Sequence, residues 1–521
     1  MLLPRLLSSQ TPRLVSVVGR IPPLRTWISR RVINGYCSAT LPRPRAFSMA
    51  ADYTSWRGLT DRRFTGRHLA PVPASGQEGL PSEAEVAALF RRDVEVRSTD
   101  TSVLFAFFAQ WFTDSFLRTS HEEGGFGQNT SNHEIDLCQI YGLTEDRTAM
   151  LRSHVGGRLR TQRIAGDEYP DYLFQPRPPG GPLVVKATYA GLHDERFLTM
   201  VILGDAPDER KDFIFAVGLE HGNSTIGNTV MNVVFVREHN RVAGTLQEAN
   251  PGWDDERIFQ TARNVLIVML LNLVVQEYIM HIAPIEFPLQ NVPFVADGAP
   301  WNRSNWIAIE FNLLYRWHSL VPDAIGEGAN RIEPQDFRNN NPLVISKGIE
   351  ALISQFSAAK AGRIGLANTP RFLVDRHDPA QPSVEERTVR LMREARLATY
   401  NEYRTAFGLR PRRSFEELTG DATLRQRLTG LYGSIDRLEW YVGIFAEDYG
   451  RDSMMGGLLT AMVAYDAFTQ ALTNPLLARN VYNEATFSPA GWKEIKATRS
   501  LQQIVARNSN PTREVHASFK V

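Results

Sequence analysis

The chain has 521 residues, 58 lysines and arginines against 57 aspartates and glutamates, and is 43% hydrophobic and 22% charged. That is the make-up of a soluble or membrane-surface globular protein with a large core, and the cancelled charge gives no case for a nucleic-acid partner. With two cysteines, Cys37 and Cys138, the chain has no disulfide framework and no thiolate-rich metal site.

In chain order, residues 1–50 come first, with eight arginines and no Asp, Glu or Lys. Leucine, valine, isoleucine and tryptophan interleave with those arginines. The pattern suits a cleaved mitochondrial-type transit peptide or short amphipathic helices lying in a membrane interface. After a proline- and glycine-bearing connection at 68–85, helical periodicity predicts helices over 82–92, 101–119, 228–249, 255–282, 305–321, 342–356, 383–407 and 423–435. Asp254 and Asp255 after a Pro-Gly-Trp turn, and Ser383 ahead of Glu385 and Glu386, mark helix starts. RNVLIVMLLNLVVQEY (263–278) is the most apolar run. Asn272 interrupts it, and it is short of the roughly 20 apolar residues a spanning helix needs, so it predicts a buried core helix. Strand candidates are few: PLVVKATYA near 182 and FLTMVIL near 197. There is no internal repeat. The expectation is a mainly α fold, one large domain over 51–521 behind a basic arm over 1–50.

No G-x-S-x-G elbow, Walker loop, H-E-x-x-H or G-x-G-x-x-G fingerprint occurs. A REHNR run (237–241) and eleven scattered histidines remain, and most of those histidines read as surface or packed core. His318 stands out. It lies in EFNLLYRWHSLVPD (310–323), where helical spacing stacks Tyr315 and His318 on one face. A buried imidazole in such apolar company needs a partner for each nitrogen, and a haem iron is one candidate. A phenol beside an oxidised haem can become a radical able to take hydrogen from an unactivated carbon.

EFNLLYRWHSLVPD resembles the proximal segment of the animal cyclooxygenases (prostaglandin G/H synthases) in the haem peroxidase–cyclooxygenase superfamily. LFAFFAQWFTDSFLRT (104–119) resembles the family's distal helix. DLCQIYG (136–142), VREHNRV (236–242), AGRIG (361–365), YNEYRTAFGLRP (400–411), SFEELTG (414–420), LYGSIDRLEWYVG (431–443) and NPLL (474–477) resemble further family blocks in the same order. The resemblance implies a large α-helical haem peroxidase-like fold without the cysteine-rich epidermal-growth-factor-like module. It implies haem b as cofactor, His318 as axial ligand of the iron and Tyr315 as the radical residue. Tyr441, in LEWYVG, is implied as a partner of the proximal histidine through water, with packed core as its other reading. IPPLR (21–25) resembles the end of the family's membrane-binding helices, which places Arg25 where a fatty-acid carboxylate is held and favours a peripheral membrane location over targeting. A homodimer is among the assemblies the family implies.

Three positions depart from the pattern. Gln110 is present on the distal helix, but the histidine expected four residues later is Asp114. Three outcomes follow for Asp114: a substitute acid–base group, a lost peroxidase function with oxygenase chemistry retained, or a decayed site. In the expected substrate channel, Lys347 takes the place of a family tyrosine near Arg25. It reads as a carboxylate partner or a solvated lysine. Ala467 falls where animal enzymes carry the serine acetylated by aspirin. The resulting expectation is a haem dioxygenase adding O2 to a long-chain unsaturated fatty acid. The alternatives are a peroxide-consuming haem peroxidase or peroxygenase of specialised metabolism, and a non-catalytic haem-binding protein.

Overall fold

The computed structural model describes residues 19–38, 47–120, 122, 125–204, 206–283, 287–450 and 453–521. The start of the basic arm, residues 1–18, therefore lies outside the described residues. Helix α1 (Pro22–Ser38) opens on two prolines, whose fixed φ suits a first helical turn. It buries Ile28, Val32, Ile33 and Cys37 and leaves Arg30 and Arg31 exposed.

Strand β1 (Arg97–Ser102) leads into α2 (Val103–Thr113), where the Ser102 hydroxyl accepts from the Phe105 N–H as N-cap. Strands β2 (Thr161–Ile164) and β3 (Asp167–Pro170) form a hairpin across Ala165-Gly166, both at positive φ. Helix α3 (Ile226–Ala249) starts at Thr225, and α4 (Asp255–Leu273) at Asp254, each capped by its own side chain. Helix α4 runs on through a wide turn, Val274–Tyr278, to Ile282. Its apolar stretch is long enough to cross a membrane by length and composition, yet 78% of it is buried inside the fold. The core-helix expectation is met.

Then follow α5 (Ile309–Leu314), α6 (Asn341–Lys347), α7 (Ile349–Ala358), strand β4 (Lys360–Gly362) paired antiparallel with β1, α8 (Val384–Glu394), α9 (Tyr400–Ala406), α10 (Trp440–Ala446), α11 (Gly457–Leu472) and α12 (Glu484–Ala497). Helices α3 and α4 lie side by side at the centre, with α12 across both and α2 along α3. On the other side α5 packs on α10 and α11, and α1 lies on α11.

Four expectations are corrected. The 305–321 helix is only the six residues of α5, so Tyr315 and His318 do not share a helix face. The chain breaks because the Trp317 N–H bonds the Tyr315 carbonyl at 2.8 Å, and His318 then opens a separate turn, His318–Leu320. The 342–356 helix is split at Gly348, whose φ of +82° side chains rarely adopt. FLTMVIL is not a strand: it folds as the helical turn Glu195–Leu198 and the wider turn Thr199–Leu203, burying Leu198 and Ile202 four apart while Met200 faces out. PLVVKATYA contributes only a single bridge, Val185 to Phe174.

The REHNR run is structural. Glu238 is gripped by Arg241, Arg507 and Asn508, and His239 is bonded by Tyr141 and the Gly157 carbonyl, each at 2.8 Å. Burial pulls the His239 pKa down to about 4, so it is a neutral core imidazole.

Candidate active site

His318 Nδ1 lies 2.7 Å from Glu385 Oε1, and Tyr441 Oη donates to Glu385 Oε2 at 3.3 Å. Glu385 has 0% exposure. A buried carboxylate needs compensation, and here it has the imidazole, the phenol and the nearby Arg316 guanidinium. Burial lowers the Arg316 pKa, against which the Tyr441 and Glu385 charges act, and Arg316 Nη1 also donates to Thr388 at 2.7 Å. Tyr441 is joined to His318 through Glu385, a link the sequence reading assigned to water. Nε2 of His318 makes no hydrogen bond among the described residues, so the ring is oriented at one nitrogen and free at the other.

Tyr315, the residue that ends α5, is held edge-on by Phe311 (centroids 4.9 Å, 88°) and faced by Trp317 (4.5 Å, 33°). Its hydroxyl is buried against that of Tyr278, and the two phenols bond each other loosely, outside strict hydrogen-bond geometry. Desolvation raises the Tyr315 pKa, the Tyr278 hydroxyl opposes that rise, and the Asp466 carboxylate adds to it, so the phenol keeps its proton. Asp466, on the otherwise apolar α11, pairs with His68 at 2.9 Å, both fully buried.

Gln110 and Asp114 sit at the end of α2 and meet the start of α3. Gln110 Oε1 accepts from Thr225 Oγ1 at 3.2 Å, and Asp114 Oδ2 from Asn228 Nδ2 at 2.9 Å. Asp114 is partly accessible, yet protein atoms crowd its carboxyl. Desolvation lifts its pKa from 3.8 to about 7, against the opposing pull of Asn228 and Arg118. An aromatic layer joins α2 to the Tyr315 side, with Phe105 stacked toward Trp317 at 6.3 Å and Phe116 toward Phe311 at 6.1 Å.

Arg25 and Lys347 stand on different elements. Arg25 Nε donates to the Pro288 carbonyl at 2.8 Å and Nη2 to that of Leu289 at 3.0 Å. Lys347 ends α6, which packs on α3 and α7. Ala467 is buried on α11 beside Asp466.

Sequence reasoning missed Glu385, Tyr278, Asn228, Thr225 and the His68–Asp466 pair. Two signals were available. Glu386 alone closes the capping box with Ser383, which leaves Glu385 over. Asp466 is an ionisable residue inside the apolar run of α11, where it must find a partner.

Among the described residues no three His, Cys, Asp or Glu side chains cluster as a metal site. A single histidine with one open nitrogen suits iron that arrives with its own equatorial donors, as in haem. Residues 115–519 match the animal haem peroxidase family model.

The chain belongs to the animal haem peroxidase family.

It is 32% identical to prostaglandin G/H synthase 1 of Rattus norvegicus over 94% of this chain and 78% of that one, and 30% identical to prostaglandin G/H synthase 2 of Bos taurus over 95% and 78%. The fold is similar to that of an Arabidopsis thaliana fatty acid alpha-dioxygenase (TM-score 0.69, 17% identity, covering 97% and 90%). It is also similar to peroxidase A of Dictyostelium discoideum (0.68, 18%, covering 88% and 95%). Identities this low speak for the fold alone. As a member of this family the protein is a haem-dependent oxidoreductase.

Proposed function

We propose that the protein is a fatty-acid dioxygenase in which Tyr315 is the hydrogen-abstracting residue. The observation that carries this reading is the paired environment of residues 315 and 318. The imidazole is oriented by a buried carboxylate, and three residues away lies a phenol clamped by aromatics with the Tyr278 hydroxyl beside its own. His318 Nε2 would hold the haem iron, and Glu385 fixes which nitrogen is offered. When bound, haem supplies the one-electron oxidising power. Loss of one electron to the oxidised cofactor and of the phenolic proton, relayed by the adjacent Tyr278 hydroxyl, would make Tyr315 a neutral radical. It takes a hydrogen atom from an acyl carbon, dioxygen adds to the carbon radical, and the peroxyl radical takes the hydrogen back from Tyr315, giving a hydroperoxide and renewing the tyrosyl radical. Phe311 and Trp317 keep the phenol in one orientation and exclude water. The similarity to prostaglandin G/H synthases supports the substrate class. Exposed Ile21 and Trp27 beside Arg30 and Arg31 on α1 support a membrane-surface location.

The test is oxygen uptake by the haem-loaded protein with a panel of unsaturated fatty acids and a catalytic trace of peroxide to oxidise the haem, with products identified by mass spectrometry. Uptake far in excess of the peroxide supplied is the expected outcome; uptake that only matches the peroxide consumed contradicts it.

A second reading rests on Asp114. A carboxyl with a pKa of about 7 can both take and give a proton near neutrality, which suits peroxide cleavage by a peroxidase or peroxygenase. That reading requires turnover with peroxide that depends on Asp114.

A further inference from the structure

Where α1 leans on residues 290–294 and α12, a cavity of about 470 Å³ opens at the surface. Arg30, Lys496 and Arg499 stand at its exposed rim, and no acidic residue lines it. Among the described residues none of these three side chains makes an ion pair or a hydrogen bond. Arg499 crowds Lys496 instead. Desolvation and the Arg499 charge both lower the pKa of Lys496 and that of Arg25 next door. Like charges gathered without a counter-charge are unfavourable, and an anion relieves them at once.

The inner surface is mixed: Thr26, Gln276, Gln290 and two asparagines stand beside an aromatic wall. The Lys496 ammonium lies 4.3 Å over the Trp492 ring, and Trp492 meets Tyr482 edge-on at 4.8 Å. Phe294 continues this aromatic wall. On the floor, Asn291 donates to Asn272 at 2.9 Å, which leaves Asn291 Oδ1 buried without a partner. A charged rim above an aromatic wall matches a ligand with an acid group at one end and hydrocarbon next to it.

We propose that this cavity seats the acid group of an anionic amphiphile, a carboxylate or phosphate on an acyl chain, with Arg30, Lys496 and Arg499 as its charge partners. The inference builds on the fatty-acid reading, and assigns the acid group to this trio in place of Arg25 with Lys347. Two nitrogens of Arg25 are already spent on the Pro288 and Leu289 carbonyls, so it shapes the wall next to the cavity.

The test uses the haem-loaded protein with oleate and with oleyl alcohol, its uncharged counterpart, and reads binding by Trp fluorescence. Oleate should bind more tightly than the alcohol, and more weakly as salt rises. In the double variant Lys496→Gln/Arg499→Gln, oleate should lose about tenfold or more, as expected for lost charge-assisted bonds, and the alcohol should lose nothing. The exchange Lys496→Arg/Arg499→Lys should keep most of the affinity. Sedimentation with phosphatidylcholine vesicles, with and without phosphatidic acid, identifies the source. Loss of vesicle binding in the double variant, only where phosphatidic acid is present, assigns the site to a lipid headgroup phosphate. Loss of soluble oleate alone assigns it to a free acid. Unchanged oleate affinity and unchanged vesicle binding in the double variant overturn the proposal, and so does an equal loss for the alcohol. Oleate binding that needs the cations in a protein that oxygenates no fatty acid leaves this site standing and removes the dioxygenase reading.

Discussion

The two halves of the candidate site are built from different bonds. On the His318 side, a buried carboxylate is bound by an imidazole and a phenol and lies near a guanidinium, a charge-compensated knot that leaves one nitrogen open. On the Asp114 side the partners are an amide and a hydroxyl, Asn228 and Thr225, and the carboxyl titrates near neutrality. The difference teaches that the His318 ring is oriented by a buried carboxylate, whereas the protonation of Asp114 is left to the solution.

The comparison can be broken most severely at His318. His318→Gly should abolish the Soret band of the reconstituted protein, with added imidazole restoring it. Glu385→Gln removes the charge that orients the ring. It should weaken haem binding by about 10- to 100-fold, the usual scale for a partner of a ligating histidine, and raise the iron's reduction potential in a spectroelectrochemical titration. Retained affinity and potential in that variant would mean the knot is ordinary packing.

On the distal side, Asp114→Asn should slow peroxide turnover by about 100-fold or more, in keeping with loss of a general acid–base group. It should also remove an inflection near pH 7 from the rate profile. The smallest effect is on stability. The folded protein holds the Asp114 proton between pH 3.8 and about 7, whereas the unfolded chain has released it. Stability therefore falls as pH rises through that window. In Asp114→Asn the decline in melting temperature across those pH values should be shallower, as calorimetry would show.

Helix existence was legible along most of the chain, because periodic apolar residues and cap signals at Asp254 and Ser383 are local. Helix ends were not. The break after Leu314 depends on a backbone bond between Tyr315 and Trp317, and the split at 383–407 on Arg396 at positive φ. The same limit applies to the site. Tyr315, His318, Gln110 and Asp114 lie in short motifs and could be read directly. Glu385 reaches His318 across 67 residues and Asp466 reaches His68 across 398, contacts that only the fold creates.

The central claim is that the phenol beside His318 does the hydrogen abstraction. The direct measurement is freeze-quench electron paramagnetic resonance on the haem-loaded protein and on Tyr315→Phe, with oxygen uptake followed in parallel. The account predicts a tyrosyl signal and fatty-acid oxygenation in the parent protein, and in the variant an unchanged Soret band with both signal and oxygenation lost. Full oxygenation by Tyr315→Phe would contradict it.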